Sequence, residues 1–177
     1  MSESGNAGQV VVVTGAASGI GRALCERLAA SGASAVAGDV AAARLAWTEK
    51  ADRIVSLVGD ITEEATNAAM VELALKECGH LDAVALNAGL PSSGALESLP
   101  LADFDRVIEV NLRGTVLGTR AAISTLRDAG GGAVIATASV SGLGGDPHTW
   151  AYNAAKRCVI NFVRSSATHL PVDALRV

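Results

Sequence analysis

The chain has 177 residues and a formal net charge of −4, and 50% of its residues are hydrophobic while only 3% are aromatic. This length suits a single domain whose core is built mainly from alanine, valine, leucine and isoleucine. The sequence contains no cluster of lysine and arginine, which argues against nucleic acid as a partner, and no apolar run approaches the ~20 residues of a membrane span. We therefore expect a small-molecule ligand.

The three cysteines, Cys25, Cys78 and Cys158, are far apart and show no CxxC spacing. An odd number without that spacing argues against a disulfide framework and against a zinc site, and no pair of histidines has metal-ligand spacing either. We expect reduced, buried thiols and no metal. Residues 1–8 lack the charged and apolar regions of a signal peptide, so we expect a disordered N-terminal segment on a soluble, cytoplasmic protein.

Strand and helix patterns alternate along the rest of the chain. Residues 9–14 form a β-branched run that is typical of a strand buried on both faces, and a glycine-rich segment and a helical pattern follow it. The alternation predicts further strands at 33–39, 54–58, 81–86 and 133–137, and helices at 22–30, 41–50, 62–78, 101–128 and 150–170. This order predicts an α/β fold, a Rossmann-like doubly wound parallel sheet of about five strands, in one domain spanning residues 9–177.

The C-terminal end of the pattern is incomplete. Leu170 and Pro171 are expected to end the last helix, and residues 175–177 have the character of the first residues of a sixth strand. We expect that sixth strand to be cut off and the fifth strand to become an exposed edge of the sheet.

The stretch TGAASGIG follows the first predicted strand and opens a helix. Glycines at this junction allow a tight turn, let backbone N–H groups approach a pyrophosphate and let the helix pack closely on the sheet. A plain glycine turn is the alternative. The residues expected to bind the phosphates are Gly15, Ser18, Gly19, Ile20 and Gly21.

Asp39 ends the second predicted strand, 18 residues after Gly21. A carboxylate at this point can accept hydrogen bonds from both hydroxyls of an adenosine ribose and repels a 2′-phosphate. Neither Val40 nor Ser18 supplies the positive charge that NADP requires, so the sequence favours NAD. The alternative is an aspartate that caps the following helix.

Polar and glycine residues also follow the third and fourth predicted strands. Asp60 and Ile61 follow the third strand, and Asn87 and Gly89 follow the fourth. Open α/β sheets bind ligands at the carboxyl ends of their strands, so we expect these four residues to contact the cofactor. Aspartate, asparagine and glycine are also common in turns, which is the alternative for each.

Tyr152 is the only tyrosine, and one of only three lysines, Lys156, follows it by four residues. On a helix the two side chains share a face, where the ammonium favours the phenolate and makes the tyrosine a usable general acid or base. An ordinary amphipathic helix with a half-buried ring is the alternative. Both residues are also expected to contact the cofactor.

In their order and spacing these motifs resemble the short-chain dehydrogenase/reductase family from about residue 9 to the last residue. The matching motifs are TGxxxGxG, Asp60, the NAG at 87–89, Asn111, Ser139 and the YxxxK of Tyr152 and Lys156. The family normally continues through a sixth strand, a Pro-Gly loop, a substrate lid and a seventh strand, so the resemblance also implies that this chain is truncated at its C-terminus.

The resemblance implies a catalytic tetrad of Asn111, Ser139, Tyr152 and Lys156. Tyr152 would move the proton, Ser139 would orient the substrate oxygen, Lys156 would also reach the nicotinamide ribose, and Asn111 would hold a water that links Lys156 to solvent. Ser141 rivals Ser139 on the residues alone, and the family spacing favours Ser139.

The expected function is NAD-dependent interconversion of a secondary alcohol and a ketone. The alternative is a dinucleotide-binding protein without turnover. Substrate contacts are expected from Leu90, Leu143, His148 and Trp150, although the sequence around His148 also reads as an exposed turn.

The resemblance further implies a homodimer or homotetramer formed through the long helix from residue 101 and the helix that carries Tyr152. The apolar residues Val107, Val116, Val159 and Phe162 fit such a contact, and core packing explains them equally well.

Overall fold

A computed structural model of the chain describes residues 5–170 and 175–177. The strands are β1 (Val10–Thr14), β2 (Ser34–Asp39), β3 (Ile54–Val58), β4 (Ala83–Leu86), β5 (Gly132–Ala136) and β6 (Leu175–Arg176). The α-helices are α1 (Gly19–Ala30), α2 (Ala42–Leu45), α3 (Glu64–Cys78), α4 (Leu101–Ile108), α5 (Gly114–Asp128) and α6 (Trp150–His169). The predicted disorder of residues 1–4 and the predicted helix stop at Pro171 lie outside the described residues, whereas residues 5–8 form turns.

All the strands are parallel, and they lie in the order β3-β2-β1-β4-β5-β6. The fold is therefore the predicted Rossmann-like α/β sheet with helices on both faces. The order reverses between β1 and β4, which opens a crevice at the carboxyl ends of these strands.

Strand β1 lies at the centre and is buried on both faces. Val10 and Val12 pack with side chains of α3 and α5, whereas Val11 and Val13 pack with Cys25 and Leu28 of α1 on the opposite face. Successive side chains of a strand point to opposite faces, so an unbroken valine run satisfies both layers at once.

The sixth strand is present, and the expectation that it would be cut off was wrong in this detail. Leu175 and Arg176 pair in parallel with Gly132 and Ala133 of β5. The buried side chain of Leu175 joins the same core cluster as Val134. Two residues are enough for this pairing because the leucine side chain adds apolar burial to the backbone contact.

The long helix predicted at 101–128 is continuous but contains one wider turn. A π-helical segment, Glu109–Arg113, separates α4 from α5. Within it the side chain of Asn111 donates hydrogen bonds to Val107 O and to Leu90 O. A side chain that bonds to the carbonyl four residues earlier competes with the regular helical ladder, which accounts for the widened turn.

The start of α3 also differs from the prediction. The helix begins at Glu64 rather than Thr62, because the Thr62 hydroxyl donates to Asp60 instead of capping the helix. The predicted stop is confirmed, since Gly79 follows the helix with φ +85°, in the left-handed region that favours glycine.

The thiols are all free, as predicted, but they differ in burial. Cys25 is buried, Cys78 is half-buried and Cys158 is exposed. The prediction of buried thiols is wrong for Cys158, because α6 turns Lys156 and Val159 toward the interior and directs the two residues between them, Arg157 and Cys158, outward. Burial raises the pKa of the Cys25 thiol to about 12.

Within the described ranges, none of the helices combines the length and the apolar character that a membrane span requires. The cytoplasmic location stays a prediction from the sequence.

The thiols should differ in reactivity. Because burial keeps Cys25 protonated at neutral pH, brief treatment of the folded protein with iodoacetamide at pH 7.5 should alkylate Cys158 and leave Cys25 unmodified. Peptide mass spectrometry measures the extent at each site, and the same treatment in denaturant, which should modify all the cysteines, is the control. Equal labelling of Cys25 and Cys158 in the folded protein would contradict the packing described here.

Candidate active site

A cleft of about 570 Å³ opens at the carboxyl ends of the strands. Eleven of the twelve residues predicted to contact the cofactor line it: Gly15, Ser18, Gly19, Ile20, Asp39, Asp60, Ile61, Asn87, Gly89, Tyr152 and Lys156. The sheet therefore brings together segments that are far apart in the sequence, as the parallel topology predicts.

The glycine loop is shaped by close backbone packing. Gly15 has φ +71°, and a Cβ atom there would lie 2.9 Å from Ala88 Cα. Gly21 lies behind the loop rather than in the described cleft wall, and a Cβ atom on it would come within 2.2 Å of Gly15 O. Glycine is therefore required at both positions, the first for the turn and the second for close packing of α1.

Helix α1 begins at Gly19 and directs its N-terminus at the cleft. Ser18 forms no side-chain capping bond to the described residues of α1, and the first turn carries no acidic side chain. The N–H groups of this turn have no partner within the helix and lie at the positive end of its dipole. This arrangement fits the pyrophosphate of a dinucleotide.

Asp39 links the glycine loop to the end of β2. Its Oδ2 accepts a hydrogen bond from Ala17 N at 3.0 Å, and its Oδ1 accepts one from Ala41 N at 2.9 Å. The second bond forms a turn ahead of α2, but the N-cap of α2 is Ala41 and has no side-chain capping bond, so Asp39 is not the helix cap that was the alternative to cofactor binding. Asp39 also lines the cleft.

Asp60 is fixed through both carboxylate oxygens. Oδ1 accepts from Thr62 N and from Thr62 Oγ1, and Oδ2 accepts from Arg106 Nη2 at 2.8 Å. Burial by itself raises the pKa of Asp60, but these hydrogen bonds and the Arg106 charge outweigh it and hold the pKa below its usual value. Arg106 also lines the cleft, and no local pattern in the sequence indicates it, because only the packing of α4 beside the loop after β3 brings it there.

Asn87 joins the ends of three strands. Its Nδ2 donates to Thr14 O, its Oδ1 accepts from Thr137 Oγ1, and its backbone N–H donates to Thr14 Oγ1. Gly89 follows at a point of close approach, where a Cβ atom would lie 2.9 Å from Asn111 Oδ1. Asn87 therefore links the ends of β1, β4 and β5 at the cleft.

Tyr152 and Lys156 lie on one face of α6 and line the cleft, as the spacing predicts. Lys156 is only 3% exposed, and its Nζ donates to Thr137 O at 2.8 Å and lies 5.6 Å from the centre of the Tyr152 ring. Burial lowers the pKa of Lys156. Thr137, which accepts from the amine and also lines the cleft, was not predicted from the sequence.

The other two residues of the expected tetrad lie outside the described cleft wall. Asn111 is fully buried beneath Gly89 and Leu90, and its Oδ1 has no hydrogen-bond partner within the described ranges. Ser139 is half-buried at the start of a short 3-10 turn, Val140–Gly142, and its Oγ accepts from Ser141 N at 3.2 Å. The rival hydroxyl of Ser141 donates to Asp146.

Of the residues expected to contact substrate, Leu90 lines the cleft. Leu143 and His148 are exposed, outside the described wall, and His148 has φ +64° in a turn. Trp150 stacks on Phe104 with ring centres 5.3 Å apart. It therefore packs between α4 and α6 rather than facing the cleft.

Comparison with known proteins gives the family. A sequence model of the family described as short chain dehydrogenase matches residues 9–177. The chain belongs to this family. Its members use a nicotinamide dinucleotide, in agreement with the glycine loop and the α1 N-terminus.

Two curated relatives show how much of such a protein the chain represents. It is 39% identical to cis-4-hydroxycyclohexanecarboxylate dehydrogenase of Sinomonas cyclohexanicum and 36% identical to levodione reductase of Leifsonia aquatica. Each alignment covers 96% of this chain, but only 70% and 66% of the respective relative. The chain thus spans about two thirds of the length of these relatives.

A solved structure supports the same assignment. The crystal structure of 3-ketoacyl-(acyl-carrier-protein) reductase from Brucella melitensis, complexed with NADH, superposes with a TM-score of 0.91 at 32% identity. The match covers 97% of this chain and 73% of that protein.

Proposed function

We propose that this protein is an NAD-dependent oxidoreductase that interconverts a secondary alcohol and a ketone, with Tyr152 as general acid and base. One observation carries the proposal: Tyr152 and the buried amine of Lys156 line the same cleft as the glycine loop and Asp39. A proton-transferring group and a dinucleotide site therefore share one cavity.

The residues present fit the dinucleotide. The α1 N-terminus would hold the pyrophosphate, and the carboxylate of Asp39 would accept the adenosine ribose hydroxyls and disfavour a 2′-phosphate. Asp60, Ile61, Asn87 and Gly89 extend the wall from the adenosine end toward Tyr152. When bound, the nicotinamide supplies the hydride acceptor or donor, and the protein must position the substrate and move one proton.

The proton is assigned to the hydroxyl of Tyr152. Lys156 is buried and anchored by its bond to Thr137 O, so its ammonium stays close to the Tyr152 ring. The hydroxyl of Tyr152 would give its proton to a ketone oxygen or take one from an alcohol.

Hydrogen-bond directions favour Ser139 over Ser141 as the residue that orients the substrate oxygen. Ser139 Oγ accepts a backbone hydrogen bond, which leaves its own hydroxyl proton available to a substrate oxygen. Ser141 has already committed its hydroxyl proton to Asp146. Asn111 is assigned an indirect role, because it donates to Leu90 O and so fixes a residue of the cleft wall. Its role in holding a water stays a prediction.

A cyclic secondary alcohol or ketone is the proposed substrate class. The two curated relatives are named for a hydroxycyclohexanecarboxylate and for levodione, and Leu90, Pro91 and Val110 add apolar surface to the cleft. Nucleotide binding without turnover is the second candidate, and the observation that favours it is the position of Ser139 outside the described cleft wall.

Replacement of Tyr152 by phenylalanine tests the catalytic assignment. The change removes the hydroxyl and keeps the ring, so NADH affinity should stay within about threefold of wild type. Turnover of a cyclohexanol or cyclohexanone panel, followed by NADH absorbance, should fall by about 10²- to 10⁴-fold.

If the wild-type protein binds NADH but turns over no member of the panel, the result would favour the second candidate, nucleotide binding without turnover. Full activity of Tyr152→Phe would overturn the assignment of the proton to this residue.

Because Ser141 donates to Asp146, Ser141→Ala should lose less activity than Ser139→Ala, which compares the two hydroxyls directly.

The preference for NAD should depend on the charge of Asp39. Asp39→Asn keeps an oxygen that can accept from Ala17 N but removes the negative charge, so the ratio of NADPH to NADH affinity should rise by about tenfold. Fluorescence titration of both cofactors against wild type and variant measures the ratio. An unchanged ratio would show that this carboxylate does not discriminate against the 2′-phosphate.

We also propose a homodimer or homotetramer that uses the outer faces of α5 and α6. Val107 and Val159 are buried in the core of the subunit, which corrects the expectation that they could serve a partner, because packing within the chain already covers them. Val116 and Phe162 are half-buried and remain available.

Phe162→Glu should therefore lower the sedimentation-velocity mass, because a charge is costly to bury at a contact. Asn161→Glu, at an exposed position on the same helix, should not change it. A wild-type protein that sediments as a monomer at micromolar concentration would reject the proposal.

A further inference from the structure

Two cationic side chains line the described cleft, at different distances from the tyrosine. Lys156 lies beside Tyr152, whereas Arg106 lies beside Asp60, after β3. Strand β3 is the neighbour of β2, whose last residue is Asp39. Arg106 therefore lies at the end of the cleft that the proposed function assigns to the adenosine half of the dinucleotide.

The guanidinium of Arg106 connects α4 with the loop after β3. Nη2 donates to Asp60 Oδ2 at 2.8 Å, and Nη1 lies 3.5 Å from Thr62 Oγ1 and 3.7 Å from Glu109 Oε2. Because Asp60 Oδ1 is already held by Thr62, the bond from Arg106 fixes the second oxygen and so sets the rotation of the carboxylate.

The backbone of the same loop has other anchors. Ile61 packs closely on Gly114: a Cβ atom on Gly114 would come within 2.1 Å of Ile61 Cδ1. Arg113 donates to Thr62 O, and Asn67 donates to Ile61 O. Loss of the Arg106 side chain should therefore release the second carboxylate oxygen of Asp60 without releasing the loop.

We propose that Arg106 is a positioning residue for the adenosine half of the dinucleotide, and that it acts by holding the carboxylate of Asp60 in a fixed orientation at the cleft wall. The inference rests on the proposed function for the identity of the ligand. A carboxylate fixed in one orientation loses no rotational freedom when a nucleotide donor bonds to it, so the arginine raises affinity without touching the reacting atoms. The lowered pKa of Asp60 agrees with this arrangement, since it keeps the carboxylate ionised as an acceptor.

The test compares Arg106→Gln, Arg106→Lys and Arg120→Gln. Arg120 is a matched control, because it lies on α5, pairs with Glu64 at 3.9 Å across exposed surface and is not a residue of the described cleft wall. Dissociation constants for NADH, ADP-ribose and nicotinamide mononucleotide are measured by titration, and thermal unfolding checks that each variant is folded.

Arg106→Gln should weaken the binding of NADH and of ADP-ribose by a similar factor of about tenfold, and leave the affinity for nicotinamide mononucleotide unchanged. Arg106→Lys should recover part of the loss, and Arg120→Gln should match wild type. In turnover assays the KM for NAD should rise in Arg106→Gln while kcat stays within about twofold, because the reacting atoms are untouched.

A double-mutant cycle separates positioning from a direct contact. If Arg106 acts through Asp60, adding Arg106→Gln to an Asp60→Asn background should not weaken ADP-ribose binding any further. Additive losses, an Arg106→Gln variant with wild-type affinity, or equal effects of Arg106→Gln and Arg120→Gln would overturn the inference.

The outcomes also distinguish this inference from the proposed function. If wild type binds ADP-ribose and turns over no alcohol, the catalytic proposal fails while the cycle still decides the role of Arg106. If wild type binds neither NADH nor ADP-ribose, both proposals are overturned.

Discussion

The candidate site depends on one buried ammonium group. Lys156 is almost inaccessible to solvent, and its Nζ is held by the carbonyl of Thr137 at the end of β5. Removing a cation from water costs free energy that one hydrogen bond to a neutral carbonyl offsets only in part, and the lowered pKa of Lys156 reflects this burial. A buried charge is screened less than one in water, and the Tyr152 ring lies 5.6 Å from the amine.

The position of that charge is set by the sheet. Thr137, which accepts from the amine, also donates its hydroxyl proton to Asn87, and Asn87 in turn donates to Thr14. Three strand ends, from β1, β4 and β5, are thus joined by side-chain bonds that reach the lysine. The pairing of parallel strands therefore controls the position of Lys156, although α6 carries it.

The long helix formed by α4, the π-helical segment and α5 supports the other side of the cleft. Its π-helical turn places Asn111 under Leu90, and the arginines on either side of Asn111 reach the loop after β3. One helix therefore fixes the wall near the tyrosine and the wall near Asp60. The π turn itself could not be predicted, because the Asn111 side chain donates both to Val107 O and to Leu90 O of a distant segment, and no local pattern shows the second contact. The pairing of β6 with β5 was missed for a similar reason, since the burial of Leu175 depends on the core around Val134.

Local patterns in the sequence determined the parts of this protein that depend on neighbouring residues. The valine run of β1, the glycine loop, the aspartate after β2 and the four-residue spacing of Tyr152 and Lys156 follow from backbone sterics and from helical and strand periodicity. Tertiary structure alone decided which distant groups meet these motifs. Lys156 donates to Thr137 O, Arg106 donates to Asp60, Trp150 stacks on Phe104 and Ser141 donates to Asp146. Such contacts join side chains whose separation along the chain carries no periodic signal, so only the packing of strands and helices could specify them.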